Sequence, residues 1–137
     1  YAPPFGAAKD AVILAGFAAA NERRGLMPTI TPAELLDELS GETPPLVVDV
    51  RTPREYAEDQ LDGAVNLPVD EMRDRIDEVP ADRPVVVHCG VGYRSYVAQR
   101  ILMNHGRTNV RNVLGGLPLI RRVAATRPPV RSAGSEA

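Results

Sequence analysis

The stretch Pro84–Ser95 constrains the fold more than any other, because it combines a β-branched run, two glycines and the only cysteine of the chain. The valines at 85–87 predict a short, fully buried strand of the kind found in parallel sheets. The glycines that follow permit a tight backbone turn. From Arg94 the apolar spacing becomes that of a helix, which Gly106 ends. Cys89 is therefore expected where a central strand meets a loop and a helix, and open α/β sheets bind ligands at such positions.

This position favours the thiolate form of Cys89. Backbone N–H groups of a loop curling from Gly90 to Ser95 would converge on the sulfur, and the helix dipole adds positive potential. Both effects stabilise the thiolate, which is the nucleophilic form of the side chain. A buried structural cysteine that packs as a small hydrophobic residue is the alternative. The flanking glycines, the following arginine and the strand–loop–helix setting favour the functional interpretation.

The size and charge of the chain limit the classes of function. Its 137 residues suffice for one domain of ordinary size with a substantial core. The net charge of −2 gives no reason to expect nucleic acid or a membrane as a partner. A single cysteine cannot form an internal disulfide, so we expect a reducing, cytoplasmic location. One cysteine with two histidines, His88 and His105, offers no metal-ligand spacing.

Short apolar runs alternate with helical patterns along the rest of the chain. Two capping boxes, Thr31–Glu34 and Thr52–Glu55, each have proline at the first helical position and mark helix starts. The alternation implies crossover connections, and hence an α/β fold with a mostly parallel central sheet of about five short strands and helices on both faces. The expected strands are 29–30, 46–50, 64–67, 85–87 and 110–114. The expected helices are 10–21, 32–40, 53–58, 69–79, 94–105 and 119–124.

Charged residues are expected at the same edge of the sheet as the cysteine. Asp49 ends its predicted strand at that edge, and Arg51 follows directly. Arg94 opens a helix, where a cation is poorly placed with respect to the dipole, so we expect it to have a partner in Glu55 or Asp49. A helix cap or an ordinary ion pair is the alternative for each of these residues. Their convergence on one crevice with a nucleophile favours a functional role.

Five segments, in order over residues 29–125, carry a family resemblance: Asp49-Val50-Arg51, Glu55-Tyr56-Ala57, 63–68, Cys89 to Ser95 and Gly115-Gly116. Together they resemble a rhodanese domain. Rhodanese domains are sulfurtransferases, in which a loop cysteine accepts a sulfane sulfur as a persulfide and passes it to a nucleophile. Two details depart from the family, since Gln60-Leu61-Asp62 stands where it often has histidine, and no aromatic residue follows the glycine pair.

The resemblance implies three groups of site residues. The catalytic pair is Cys89 and Arg94. The implied reaction moves a sulfane sulfur from thiosulfate, a polysulfide or a low-molecular-weight persulfide to a thiol acceptor through a persulfide on the cysteine. The substrate cradle is the loop around the sulfur: Gly90, Val91, Gly92, Tyr93 and Ser95. The supporting residues are Asp49, Arg51 and Glu55.

A second resemblance concerns residues 1–10, which are similar to the end of the dimerisation domain of flavin-dependent CoA-disulfide reductases. Some of those reductases carry a C-terminal rhodanese domain. This implies that 1–25 are a reductase tail and linker, 26–125 the rhodanese domain, and 126–137 a tail whose composition predicts disorder. FAD, NAD(P)H and CoA would bind elsewhere in a homodimeric parent protein, whose reductase domains would be partners of this one. Tyr1 would either line the CoA site of the partner subunit or only pack.

Two other functions remain open on the same fold. Dual-specificity cell-cycle phosphatases resemble rhodanese domains but have five residues between cysteine and arginine, whereas four separate Cys89 from Arg94. A shorter loop makes a smaller ring of N–H donors, which suits one sulfur better than a tetrahedral phosphate or arsenate. The other possibility is a catalytically silent docking module, for which loss of the cysteine would be the usual sign.

Overall fold

A five-stranded parallel sheet organises the chain in the computed structural model, which describes residues 19–128. The strand order is β1-β5-β4-β2-β3, and every neighbouring pair is parallel. The predicted α/β architecture is therefore confirmed, with the valine-rich strand at the centre of the sheet. The strands are β1 (Thr29–Ile30), β2 (Leu46–Asp49), β3 (Val65–Asn66), β4 (Val85–His88) and β5 (Val110–Val113).

Helices cover both faces of this sheet, as crossover connections require. On one face, α3 packs with the segment between β3 and β4 on a core that includes Met72, Val87 and Leu102. On the other face, α1 and α4 enclose a second core around Leu35 and Ile120. The helices are α1 (Pro32–Leu39), α2 (Pro53–Glu58), α3 (Tyr93–Asn104) and α4 (Gly116–Thr126).

Both predicted capping boxes are present. The Thr31 side chain accepts a hydrogen bond from the Glu34 amide, and the Glu34 carboxylate accepts one from the Thr31 amide. Thr52 and Glu55 form the same reciprocal pair at the start of α2. These bonds satisfy amides that have no partner within a helix, which is why the sequence locates both starts.

The connection between β3 and β4 differs from the prediction. In place of one helix over 69–79, it contains two 3₁₀ helices, Val69–Glu71 and Ile76–Glu78. This connection must return from the carboxyl end of β3 to the amino end of β4, and a 3₁₀ helix rises about 2.0 Å per residue against about 1.5 Å for an α-helix. The six residues in these two 3₁₀ helices therefore reach further than they would in an α-helix, while Met72 and Val79 remain buried.

Three strands are shorter than predicted. β2 ends at Asp49, β5 ends at Val113, and β3 is reduced from four residues to Val65–Asn66. β3 is an edge strand that pairs only with β2, in the register Val48↔Val65 and Asp49↔Asn66. Beyond these ladders, Val50, Ala64 and Leu67 remain buried, which explains their apolar character, whereas Leu114 is 42% exposed.

Part of the segment before β1 contacts the sheet domain. Residues 19–23 are helical, and Asn21 donates a hydrogen bond of 2.9 Å to the Tyr96 hydroxyl. Met27 is buried, and the Pro28 carbonyl accepts from the amide of Asn112. Tyr1, most of the predicted helix 10–21 and most of the predicted tail 126–137 lie outside the described residues. Within the described range, no helix combines the length and apolar character that crossing a membrane requires.

Candidate active site

Cys89 directly follows the central strand β4 and is fully buried. Its Sγ accepts a hydrogen bond from the Gly92 amide at 3.0 Å. The Ser95 hydroxyl lies 3.4 Å from the same sulfur atom, within reach of a hydrogen bond to sulfur. The loop and the first turn of α3 therefore place hydrogen-bond donors around the sulfur.

Gly92 makes this arrangement possible because it adopts a left-handed backbone conformation, with φ +113°. Such a conformation is strained for residues with a side chain. It turns the Gly92 amide towards the sulfur and its carbonyl towards α3, where it accepts from the Tyr96 amide at 3.1 Å. Gly92 thus donates to the thiol through its amide and caps the start of α3 through its carbonyl.

The donors lower the pKa of Cys89. Burial alone raises the pKa of this thiol, because it penalises the charged form. The Ser95 hydroxyl and the backbone amides of Ser95, Gly92 and Val91 act in the opposite direction and outweigh burial. The net result is a pKa below the ordinary value for cysteine, which favours the thiolate.

Arg94 is bound to Glu55 by two hydrogen bonds. Its Nη1 donates to Glu55 Oε2 at 2.7 Å, and its Nη2 donates to Glu55 Oε1 at 2.8 Å. The guanidinium also lies against Gly90, where an added Cβ would be 3.4 Å from Nη2. The pKa of Glu55 is held well below its usual range, mainly by this arginine and also by the Thr52 amide. Arg94 therefore links the cysteine loop to α2, with its charge balanced by a carboxylate.

Asp49 and Arg51 form a buried pair beside the site. Arg51 Nη2 donates to Asp49 Oδ2 at 2.7 Å, and it also donates to the Asp59 carbonyl at 2.5 Å. His88, in register with Asp49, is fully buried, and burial lowers its pKa. Within residues 19–128, no hydrogen bond joins this pair to the Cys89 sulfur. The structure places both residues at the expected edge of the sheet and turns their side chains towards each other.

Gly116, at the start of α4, packs directly against the cysteine loop. A Cβ on this residue would lie 2.6 Å from the Cys89 carbonyl oxygen and 2.5 Å from that of Gly90. The next amide, that of Leu117, donates to the Cys89 carbonyl at 2.9 Å. Only a residue without a side chain permits this approach, so Gly116 allows the start of α4 to pack directly on the cysteine loop.

Asn112 is a site residue that the sequence reasoning missed. It is buried in β5, and its Nδ2 donates to the Gly92 carbonyl at 3.3 Å. A polar side chain inside a predicted buried strand was the available signal, because buried polar groups need hydrogen-bond partners. Asn112 therefore helps to hold Gly92, the residue whose amide donates to the sulfur.

The outer surface of the loop is apolar and exposed. Val91 is 82% exposed and Tyr93 is 70% exposed, whereas Ser95 is buried beside the sulfur. Among the described residues, no group of three or more histidine, cysteine, aspartate or glutamate side chains could hold a metal ion. The candidate site thus consists of one thiol, its backbone cradle and the paired side chains around it.

A parallel α/β sheet with a thiol cradled by backbone donors beyond its central strand defines a class of cysteine-centred domains. Within this class, the model of the Rhodanese-like domain matches residues 31–122. This match covers more than half of the chain, which therefore belongs to the rhodanese family.

Similar proteins include named sulfurtransferases. A sulfurtransferase of Allochromatium vinosum is 43% identical over 72 residues, which are 53% of this chain and 67% of that protein. The thiosulfate sulfurtransferase PspE of Escherichia coli is 39% identical over 72 residues, which are 51% of this chain and 68% of that protein. These likenesses place the chain among the sulfurtransferases.

Two similar solved structures are larger proteins. The reduced CoADR-RHD of Bacillus anthracis, a CoA-disulfide reductase with a rhodanese domain, is 38% identical with a TM-score of 0.79. An NAD-dependent persulfide reductase from A. fulgidus is 32% identical with a TM-score of 0.65. The likeness covers 93% and 80% of this chain, respectively, but only 22% and 19% of the two reductases.

Proposed function

We propose that this chain moves a sulfane sulfur from a small donor to a thiol acceptor through a persulfide on Cys89. The observation that carries the proposal is the environment of the sulfur, with the Gly92 amide at 3.0 Å and the Ser95 hydroxyl at 3.4 Å. The lowered pKa of this thiol supports the same role, because the thiolate is the attacking species. Similarity to thiosulfate sulfurtransferases gives independent support.

The first step loads the cysteine. The Cys89 thiolate attacks the outer sulfur of thiosulfate, a new S–S bond forms, and the donor's S–S bond breaks to release sulfite. With an organic persulfide the same attack releases a thiolate, which takes a proton from solvent. Covalent catalysis thereby divides one transfer into two displacements.

The second step unloads the cysteine. A thiolate acceptor attacks the outer sulfur of the Cys89 persulfide, and the enzyme S–S bond breaks to regenerate the Cys89 thiolate. Between the steps, the terminal sulfur carries negative charge within the loop 90–95. Fixed backbone N–H groups in a poorly solvated pocket stabilise such an anion more strongly than water does. The bond between Arg94 and Glu55 keeps these donors in place without adding net charge.

We also propose that the domain serves a flavin-dependent CoA-disulfide or persulfide reductase in a longer, cytoplasmic and dimeric protein. The likeness to the two larger reductases supports this context. FAD, NAD(P)H and CoA would be bound by the reductase part. The two displacements proposed at Cys89 need no redox cofactor themselves, because sulfur passes from donor to acceptor without an added oxidant or reductant.

Mass spectrometry of the intact protein tests the proposed transfer. The chain is exposed in turn to thiosulfate, polysulfide and CoA persulfide, and we expect a gain of one sulfur atom at Cys89. Cyanide should then remove that sulfur as thiocyanate. The Cys89→Ser variant is the control, and we expect it to fold normally but to gain no sulfur. Turnover retained by that variant would rule out the covalent mechanism.

A further inference from the structure

A cavity of about 440 Å³ opens next to the cysteine loop, between the start of α3 and the segment that follows β3. Tyr93 and Arg94 line it, and both also belong to the loop that surrounds the sulfur. A molecule in this cavity would therefore lie beside the cradle of Cys89. Its apolar wall is formed by Val50, Pro68, Val69, Val97 and Ile101.

Arg73 places a positive charge at the exposed side of this cavity. Among the described residues, Arg73 makes no hydrogen bond or ion pair. Two other arginines near the sulfur are occupied, since Arg51 binds Asp49 and Arg94 binds Glu55. An anion entering the cavity would therefore find an available guanidinium at Arg73, which can bind a carboxylate or a phosphate through two hydrogen bonds.

Asp70 is the one carboxylate that lines the same cavity, and its side chain is also exposed. The neighbouring Glu71 is bound to Arg75 at 2.6 Å, so its charge is largely balanced. Asp70 opposes the attraction of an anion to Arg73. Removing the Arg73 charge should weaken anion binding, whereas removing the Asp70 charge should strengthen it, and this difference supplies a test.

We propose that this cavity binds the organic part of the sulfur donor, and that Arg73 recognises an anionic group on it. The proposal rests on the proposed sulfur transfer at Cys89. The donor class is the persulfide of a small thiol whose organic arm carries a carboxylate or a phosphate. The apolar wall packs against the arm, and the loop receives the outer sulfur. In the transfer, Cys89–S⁻ and R–S–SH give Cys89–S–S⁻ and RSH, with the persulfide proton passing through solvent to the leaving thiolate, so the sulfur moves without an added oxidant or reductant.

Transfer kinetics with four donors test this assignment. Glutathione persulfide carries carboxylates, CoA persulfide carries phosphates, 2-mercaptoethanol persulfide has a neutral arm, and thiosulfate has no organic arm. We expect Arg73→Gln to raise KM for one or both anionic persulfides by about three- to fivefold, as for an exposed ion pair. KM for 2-mercaptoethanol persulfide, whose arm is neutral, should stay constant. Asp70→Asn should lower KM for the same anionic donors.

Arg122→Gln is the matched control, because Arg122 is an exposed arginine of α4 that lines neither this cavity nor the loop. It changes the net charge equally and should leave every KM unchanged. Equal effects of Arg73→Gln on all four donors, or none on any, would overturn the assignment.

Binding to the Cys89→Ser variant separates this inference from the proposed function. Titration of this variant with reduced glutathione and with CoA, followed by NMR, reports the cavity without any sulfur transfer. We expect at least one of these thiols to shift the Tyr93 amide signal, and the added Arg73→Gln change to weaken that binding. If Cys89 accepts sulfur from no donor, the proposed transfer is refuted. If Cys89 accepts sulfur with a KM that Arg73→Gln does not change, and neither thiol binds, only the role of the cavity is refuted.

Discussion

Gly116→Ala should damage both the stability of the domain and the reactivity of its cysteine. The new Cβ would lie 2.5 Å from the Gly90 carbonyl oxygen, whereas carbon–oxygen contacts are normally about 3.3 Å or longer. The helix start and the loop must therefore separate by roughly 0.8 Å. Gly116 also has φ +65°, a conformation that costs an alanine about 1–2 kcal/mol.

Two contributions add up in this variant. The backbone conformation contributes about 1–2 kcal/mol, and forcing a methyl group into a packed site contributes about 1–3 kcal/mol. We expect the free energy of unfolding to fall by about 2–5 kcal/mol in total. Gly106→Ala is the matched control, since Gly106 has φ +82° but open space where the Cβ would stand. That control should lose only the first contribution.

The same displacement should raise the pKa of Cys89. Moving the loop lengthens the 3.0 Å hydrogen bond from the Gly92 amide to the sulfur. A hydrogen bond to a charged group contributes about 1.5–3 kcal/mol, which corresponds to roughly one or two pKa units. Urea denaturation measures the first effect, and the pH dependence of Cys89 alkylation measures the second. Equal stability of Gly116→Ala and Gly106→Ala, with alkylation curves that match the wild type, would refute the proposed close contact.

Three further perturbations test other parts of the site. Ser95→Ala removes a donor to the thiolate, so the midpoint pH of Cys89 alkylation should rise by up to about one unit. An unchanged midpoint would show that the backbone amides alone lower the pKa of this thiol. Glu55→Gln should destabilise the domain by at most about 1 kcal/mol at pH 7, because its bond with Arg94 is partly exposed. Since the pKa of Glu55 is lowered on folding, its contribution is present above about pH 4.3 and is lost as the pH falls, so the wild type and the variant should converge in acid denaturation. A chain that starts at residue 26 should be more stable than one that starts at residue 29 by about 2–4 kcal/mol of unfolding free energy, because only the longer chain keeps the buried Met27. Equal stabilities would show that this segment does not support the fold.

Local sequence patterns determined most of the secondary structure. β-branched runs predicted β2 and β4, and the capping boxes predicted the starts of α1 and α2. These patterns succeed because buried strands and helix caps depend on neighbouring residues in the chain. The prediction of a single helix over 69–79 was wrong because the structure of this segment depends on distant parts of the fold. Its apolar spacing suits an α-helix, but the distance that it must cover along the sheet favours two 3₁₀ helices.

The sequence also indicated where the candidate site lies. The order of a strand, a cysteine, glycines and a helix placed Cys89 beyond a central strand, and the parallel register brought Asp49 to the same edge. Parallel strands share one carboxyl edge, so alternation of strands and helices is sufficient for this inference. Glu55 was recognisable as part of a capping box because it stands three positions after Thr52.

Only the tertiary structure decided what each polar group contacts. Of the two partners expected for Arg94, it selected Glu55 over Asp49, and it showed that the Glu55 carboxylate binds this arginine across 39 positions of sequence while still capping α2. It also brought Asn112 and Gly116 to the cysteine loop from β5 and α4. Such contacts depend on the packing of distant segments, and no local periodicity encodes them. The sequence therefore identifies the thiol, whereas the packing around it determines how its donors are held.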